Sequence, residues 1–220
     1  MKTKATTIQA ITEQGLLPLF YAADAELSLA IMRTLYAAGI RVVEYTNRGA
    51  AALAIFHFIK QAVQTEMPDL FLGIGTIKNA GEAKAFIAAG ADFVVCPVVD
   101  PAVGALVHEA GLLWIPGCFT PTEINTAHQL DAGIIKLFPA DQLGPAYVSA
   151  IKDIFPGQLF IPTGGVELEE SNLKAWFAAG VCAVGMGSKL ISTSILATAD
   201  HDTLTKQTGT ILTLLTKIRN

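Results

Sequence analysis

Short apolar segments alternate with longer stretches of mixed polarity along most of the chain. Glycine just beyond a helix is a common stop signal, because it adopts the left-handed conformation without a steric penalty. Five helix-like stretches end in alanine and glycine directly before an apolar segment: Ala38-Gly39, Ala89-Gly90, Ala110-Gly111, Ala132-Gly133 and Ala179-Gly180. Three more apolar segments, at 17–21, 70–75 and 159–162, complete a set of eight predicted strands.

A helical stretch follows each predicted strand, which divides the 220 residues into eight units of about 27 residues. The strands are rich in Val, Ile and Leu, as expected for a parallel sheet that is covered on both faces. The pattern predicts an α/β fold of the (β/α)8 TIM-barrel type, near its lower size limit. A doubly wound sheet is the competing architecture, but the glycine-rich fingerprint that it usually carries after its first strand is missing here. Without a break in composition, residues 1–220 are predicted to form a single barrel domain, with an extra N-terminal helix at about 7–14.

Composition narrows the possible partners. The chain is 52% hydrophobic and only 15% charged, compared with roughly 25% charged residues in typical soluble domains. The net charge is −4 and no Lys/Arg cluster occurs, which argues against nucleic acid as a partner. No apolar run approaches the ~18 residues of a membrane helix, and no signal-peptide pattern begins the chain. We therefore expect a cytoplasmic protein without membrane contact, with Cys96, Cys118 and Cys182 buried as free thiols.

Lys136 is the only charged residue in the apolar run at 134–139. Burying an unpaired ammonium group costs several kcal/mol, so a fold seldom does this without a use for it. A desolvated lysine loses affinity for its proton and becomes an amine that attacks carbonyl groups. Strand lysines also occur at sheet edges, or with the ammonium group in water. Taken alone, the position of Lys136 leaves both interpretations open.

Polar side chains at the ends of the predicted strands favour a functional interpretation, because chemistry in barrels of this kind gathers at the C-terminal strand ends. Glu44 and Lys136 are the only charged residues within the predicted strands, and both strands are even-numbered. Side chains from alternate strands share a layer inside a barrel, so these two are expected to meet. A structural Glu–Lys ion pair is the alternative, although stability alone is a weak reason to keep such a pair. Further candidates at the strand ends are Arg48, Thr76, Pro97 and Phe138.

Glycine-rich segments follow the last two predicted strands, as Thr163-Gly164-Gly165 and Gly185-Met186-Gly187-Ser188. Many barrels bind phosphate at this position through backbone N–H groups, and glycine lets the backbone approach the anion closely. Ser188 is expected to cap a helix and to donate its hydroxyl. Ordinary tight turns are the alternative for both segments.

The four histidines give no sign of a metal site, since none shows metal-ligand spacing and all fall in helical or polar segments. We therefore predict neither a metal nor another cofactor. These histidines are His57, His108, His128 and His201.

Four motifs in this chain resemble those of the 2-keto-3-deoxy-6-phosphogluconate (KDPG) and 4-hydroxy-2-oxoglutarate (KHG) aldolases. They are Val-Glu-Tyr-Thr-Asn-Arg at 43–48, Gly-Ile-Gly-Thr at 73–76, Ile-Lys-Leu-Phe-Pro-Ala at 135–140 and Pro-Thr-Gly-Gly at 162–165. The similarity runs in order from the first strand to Ser188. It implies a class I aldolase that assembles as a homotrimer, needs no metal and takes a small keto-acid phosphate as substrate.

The resemblance also implies a role for each candidate residue. Lys136 matches the Schiff-base lysine and Glu44 the general acid/base. Arg48 and Thr76 match the residues that hold the pyruvyl carboxylate, while Pro97 and Phe138 match apolar walls of that pocket. The positions that match the phosphate site are Gly164, Gly165, Gly187 and Ser188.

The expected reaction is cleavage of KDPG to pyruvate and D-glyceraldehyde 3-phosphate. Thr163 agrees with the gluconate-type enzymes, whereas galactonate-type relatives tend to have an aliphatic residue there. The chain departs from the family at Asn47, at Gly49-Ala50 and at Lys189. The alternatives are aldolases acting on KHG or on the galactonate epimer of KDPG, another phosphate-binding barrel such as an epimerase or a thiamine-phosphate synthase, and a catalytically silent barrel that binds a sugar phosphate.

Overall fold

Strands and helices alternate along residues 2–219, which are the residues that the computed structural model describes. The strands in this range are β1 (Leu16–Phe20), β2 (Val42–Thr46), β3 (Phe71–Gly75), β4 (Phe93–Val95), β5 (Leu113–Ile115), β6 (Gly117–Cys118), β7 (Ile134–Leu137), β8 (Leu159–Pro162) and β9 (Val184–Met186). The helices are α1 (Lys4–Gln14), α2 (Ala25–Ala37), α3 (Ala52–Glu66), α4 (Ala80–Ala88), α5 (Pro101–Glu109), α6 (Pro121–Gln129), α7 (Ala140–Ile151), α8 (Glu170–Ala179), α9 (Thr193–Thr198) and α10 (His201–Arg219). All eight predicted strands are present, and β6 is an addition. None of these helices combines the length and the apolar content that crossing a membrane requires.

The strands form two parallel sheets, which confirms the α/β class. The larger sheet has the order β5-β4-β3-β2-β1-β9 and forms a half-barrel, and the smaller has the order β6-β7-β8. Backbone contacts also join the two sheets at their edges. The Cys182 N–H donates to the Phe160 carbonyl at 3.1 Å, and Thr163 pairs with Gly185 as an isolated parallel bridge.

The helix predicted at the N-terminus is present and three residues longer than expected. A capping box at Thr3 and Thr6 begins α1, and Gly15 ends it with φ +70°. One predicted helix stop was wrong. Asp131, and not Gly133, adopts the left-handed conformation after α6, with φ +59°. Gly133 serves packing instead, because a Cβ atom there would lie 2.9 Å from the δ-carbon of Ile8 on α1.

Alternation along the strands separates two apolar clusters. One cluster packs between the sheets and the surrounding helices, and includes Val43 and Ile135. The other is formed by residues of opposite parity, including Val42 and Ile134. Because strand side chains repeat every two residues, Glu44 lies on the same face as Val42, and Lys136 on the same face as Ile134. The two charged strand residues therefore share the inner face of the sheets.

A buried ionic cluster lies at the opposite, N-terminal end of the strands. The Asp92 carboxylate accepts hydrogen bonds from Lys60 Nζ at 2.7 Å, from the Leu72 N–H at 2.7 Å and from Lys2 Nζ at 3.2 Å. Burial lowers the pKa of Lys60, and the charge of Asp92 opposes this shift. The carboxylate thus satisfies a buried cation and a backbone donor that have otherwise lost their water.

Replacing Asp92 by alanine should destabilise the fold by about 3 kcal/mol or more, because it leaves the Lys60 ammonium buried without its counter-charge. Urea unfolding followed by circular dichroism measures this change. Asp153→Ala removes an exposed carboxylate and should change the free energy of unfolding by less than about 0.5 kcal/mol. Equal effects of the two substitutions would contradict a supporting role for Asp92.

Candidate active site

A cavity of about 450 Å³ lies over the C-terminal ends of the strands. Ten of the eleven site residues predicted from the sequence line it, and Glu44 lies outside this lining. The ten are Arg48, Thr76, Pro97, Lys136, Phe138, Thr163, Gly164, Gly165, Gly187 and Ser188. The structure therefore brings these residues together, although they are far apart in sequence.

Glu44 is buried on β2, with 1% of its surface exposed. Gly75 at the end of the neighbouring strand makes room for it, since a Cβ atom at position 75 would lie 1.7 Å from Glu44 Oε1. Within residues 2–219, no side chain or backbone group forms a hydrogen bond with this oxygen. A carboxyl oxygen buried in this way retains its capacity to exchange a proton with another group.

The surroundings of Glu44 favour its neutral form. Burial raises the pKa of the Glu44 carboxyl above its ordinary value, while the positive charges of Lys136 and then Arg48 act in the opposite direction. A raised pKa means that the group keeps its proton at a pH where an exposed glutamate would have lost it. Such a carboxyl is suited to general acid and base chemistry at neutral pH.

Lys136 lies on β7, the central strand of the smaller sheet, so the sheet-edge interpretation is excluded. Only 7% of the residue is exposed, and its Nζ faces the Phe138 ring at 5.1 Å from the centroid. The ion pairs within 4.0 Å that residues 2–219 form do not include Lys136. The amine thus projects into the cavity without a bonded counter-charge from the described part of the chain.

Arg48 and Thr76 come from the loops after β2 and β3, which are tied to each other. The Asn47 N–H donates to the Gly75 carbonyl at 2.8 Å. Thr76 has φ +62°, a left-handed conformation that costs a non-glycine residue about 1–3 kcal/mol. Strained residues of this kind gather at functional sites, and here the strain directs Thr76 toward the same cavity as Arg48.

The glycine loop after β8 packs against the beginning of α7. Gly164 and Gly165 have φ values of +88° and +81°. The Asp141 N–H donates to the Gly164 carbonyl at 2.9 Å, and a Cβ atom at position 165 would lie 2.2 Å from that of Asp141. Both positions therefore require glycine. Gly164 has a left-handed backbone, and Gly165 has both a left-handed backbone and a close approach to Asp141.

The expected helix cap at Ser188 was wrong. The Gly187 carbonyl accepts from the N–H groups of Leu190 and Ile191, which closes a turn around Ser188. The next helix begins at Thr193, and Ser192 is its N-cap. Ser188 still lines the cavity, but as part of a turn.

Sequence reasoning missed Tyr21, which lines the cavity directly after β1. It also left the partner of Lys189 open, and the structure shows an ion pair with Glu167 at 2.8 Å. The end of the first strand carries no charged residue, and no candidate was predicted there. Reading every strand end for hydroxyl groups would have found Tyr21.

The three cysteines are buried and free, as predicted. In residues 2–219, no group of three or more His, Cys, Asp or Glu side chains is arranged to hold a metal ion.

The parallel α/β fold places a cavity over its strand ends, where many enzymes bind their substrates, and comparison with known proteins identifies the family. Residues 7–207 match the model of the KDPG and KHG aldolase family. A 2-dehydro-3-deoxy-phosphogluconate aldolase of Treponema pallidum is 33% identical over 202 residues, covering 91% of this chain and 93% of the relative. A probable 2-dehydro-3-deoxy-6-phosphogalactonate aldolase of Rhizobium meliloti is 36% identical over 136 residues, covering 61% and 63%.

A solved structure agrees with this assignment. The KDPG aldolase of Legionella pneumophila, with pyruvate captured as a covalent carbinolamine, superposes with a TM-score of 0.85 at 25% identity, covering 96% of this chain and 99% of that one. The chain belongs to the KDPG and KHG aldolase family. It is therefore an aldolase, a carbon–carbon lyase.

The Glu44 carboxyl should titrate above the ordinary glutamate value of 4.5, because burial outweighs the nearby positive charges. Carbon-13 NMR of glutamate-labelled protein measures this titration, and Glu44→Gln identifies the resonance. As pH rises through 4.5, the protonated fraction of Glu44 should exceed that of the exposed glutamates. A midpoint at or below theirs would contradict the proposed environment.

Proposed function

We propose that this chain is a class I aldolase that cleaves KDPG to pyruvate and D-glyceraldehyde 3-phosphate, without a metal or another cofactor. The observation that carries the proposal is the buried, centrally placed Lys136 amine, which faces the cavity without an ion-pair partner among residues 2–219. Glu44 lies on the same inner face, and its raised pKa suits proton exchange.

Imine formation begins the reaction. The Lys136 amine attacks the C2 ketone and gives a carbinolamine. Glu44 donates a proton to the C2 hydroxyl, which leaves as water while the C2–N double bond forms. The carbinolamine captured in the Legionella enzyme is the corresponding species in that protein.

Carbon–carbon cleavage follows. A base, proposed to be the Glu44 carboxylate, removes the C4 hydroxyl proton, and the C4 oxygen forms the aldehyde carbonyl. The C3–C4 bond breaks and its electron pair moves into the iminium group, which becomes an enamine. Protonation of the enamine at C3 and hydrolysis of the resulting imine release pyruvate and restore the Lys136 amine.

The remaining lining residues are proposed to hold the two ends of the substrate. Arg48 and Thr76 bind the carboxylate next to the ketone, and Pro97 and Phe138 form apolar walls. A guanidinium group matches a carboxylate in charge and shape, which supports this role for Arg48. The phosphate is assigned to the loops with Gly164, Gly165, Gly187 and Ser188. Thr163, buried next to Gly185, is assigned to the part of the substrate between the two ends.

The contacts between the two sheets support a closed (β/α)8 barrel formed by residues 1–220 as one domain. In this interpretation β5 and β6 act as a single strand that is interrupted at Pro116, and the Thr163–Gly185 bridge joins β8 to β9.

A homotrimer in the cytoplasm is also proposed, from the resemblance to the family. Two exposed apolar side chains support the trimer. Val98 and Phe119, on loops at the same end of the strands, are 48% and 40% exposed. Exposed apolar side chains that gather on one end of a protein are typical of an interface.

Trapping with borohydride tests the Schiff base. Reduction in the presence of pyruvate should add a lactyl-sized mass to Lys136, and Lys136→Ala should abolish the adduct. Lys78→Ala removes an exposed lysine near the same strand ends and should leave the adduct unchanged. Wild-type protein that remains unmodified would refute the proposed function.

A lactate-dehydrogenase-coupled assay identifies the substrate. KDPG should release pyruvate with a higher kcat/KM than KHG or the galactonate epimer. A higher kcat/KM with KHG or with the galactonate epimer would identify that compound as the preferred substrate, within the same family. Binding of KDPG without pyruvate release would instead indicate a silent sugar-phosphate-binding protein.

A further inference from the structure

Tyr21 occupies a position between the two ends of the cavity. It follows β1 directly, and β1 pairs with β2 on one side and with β9 on the other. The loop after β2 carries Arg48, and the loop after β9 carries Gly187, both of which line the same cavity as Tyr21. Tyr21 thus lies between the loop proposed to hold the carboxylate and a loop proposed to hold the phosphate.

Two buried hydroxyl groups fix the backbone next to Tyr21. The Ala22 carbonyl accepts a hydrogen bond from Tyr45 Oη at 2.8 Å and another from Ser28 Oγ at 3.2 Å. Burial raises the pKa of Tyr45 to about 12, so its phenol stays a donor throughout the neutral range. The Tyr21 and Tyr45 rings also pack, with centroids 5.8 Å apart. The orientation of Tyr21 is therefore set by the core and does not depend on a ligand.

The lack of a side chain at Gly49 leaves room for the Tyr21 hydroxyl. A Cβ atom at position 49 would lie 2.0 Å from Tyr21 Oη and 2.7 Å from its Cζ. Gly49 has no left-handed φ, so space is the reason for glycine here. Any larger residue at position 49 would displace the Tyr21 ring.

The Tyr21 hydroxyl is available for a ligand. No hydrogen bond between Tyr21 Oη and another group is found among residues 2–219, and the residue is only partly buried. The other cavity-facing groups between Arg48 and the loop after β9 include no second phenol. A fixed hydroxyl at the wall of a site is a typical specificity element, because it costs little entropy to order.

We infer that Tyr21 is a specificity-determining residue that hydrogen-bonds the aldehyde-derived half of the substrate, and that Gly49 positions it. This half comprises the hydroxylated and phosphorylated carbons beyond the bond that breaks. The inference rests on the proposed function, since it assigns Tyr21 to one half of that substrate.

Two reactions separate the halves of the substrate. Imine formation with pyruvate involves only the keto-acid half, and borohydride-dependent modification measures its rate. Cleavage of KDPG requires both halves. Tyr21→Phe should lower kcat/KM for KDPG about tenfold, within the range of one lost hydrogen bond, and should leave the imine rate within about twofold of wild type.

Gly49→Ala should lower kcat/KM in the same way, because the added methyl group displaces the hydroxyl. The double variant should be no slower than the slower single variant, since both changes remove the same contact. Matched controls are Tyr36→Phe, whose hydroxyl binds Asp69 at the surface, and Gly209→Ala, where a Cβ atom meets nothing within 4 Å. Both controls should cleave KDPG at the wild-type rate.

Two results would overturn the inference. One is wild-type cleavage of KDPG by Tyr21→Phe. The other is an equal loss in imine formation and cleavage, which would assign Tyr21 to the keto-acid half or to folding. Since Tyr21→Phe removes one oxygen atom, it decides the question even where Gly49→Ala fails to fold. Wild-type protein that forms no imine refutes the proposed function separately.

Discussion

The candidate site depends on two ionisable groups, Glu44 and Lys136, that are buried on the inner faces of the two parallel sheets. Both follow inward-facing aliphatic residues by two positions, so the strand period alone directs them inside. Desolvation disfavours the charged form of Glu44, and the described chain offers its Oε1 no hydrogen bond. The strands within residues 2–219 carry no other Asp, Glu, Lys or Arg.

Another buried lysine shows the contrast. Lys60, near the opposite ends of the strands, contacts the Asp92 carboxylate at 2.7 Å, and that carboxylate also accepts a backbone N–H. There every charge has a close partner, as expected of a group that supports the fold. Lys136 has no such partner among residues 2–219, and its amine faces a cavity. Lys60 and Lys136 are buried to a similar extent but have different roles. A charged partner within residues 2–219 distinguishes Lys60 from Lys136.

The shape of the cavity results largely from absent side chains. Gly75 makes room for the Glu44 carboxyl, Gly185 for the Thr163 hydroxyl and Gly49 for the Tyr21 phenol, each at a distance that a Cβ atom would close to about 2 Å. Thr76 adds a strained left-handed backbone to the cavity wall. The side chains of this site are therefore positioned by close contact with glycine backbone as much as by polar contacts.

Much of this organisation follows from the sequence, because strand alternation and strand ends are local patterns. They were sufficient to predict the eight strands, the N-terminal helix and the meeting of Lys136 with the residues that line the cavity. The features that were not predicted, or were predicted wrongly, depend on tertiary contacts. The short strand β6 follows Pro116 as an addition, Asp131 ends a helix in place of Gly133, and Ser188 closes a turn. The pairing of Tyr21 with Gly49 was invisible for the same reason, since only the fold brings residues 28 positions apart into contact.

The proposed function requires that Glu44 and Lys136 are buried for chemistry and not for stability. The free energy of unfolding of the double variant Glu44→Gln/Lys136→Met, measured at neutral pH in urea, tests it most directly. Removal of both ionisable groups at once should leave stability within about 1 kcal/mol of wild type or raise it, while imine formation with pyruvate is lost. A loss of about 3 kcal/mol or more would show instead that the pair supports the fold.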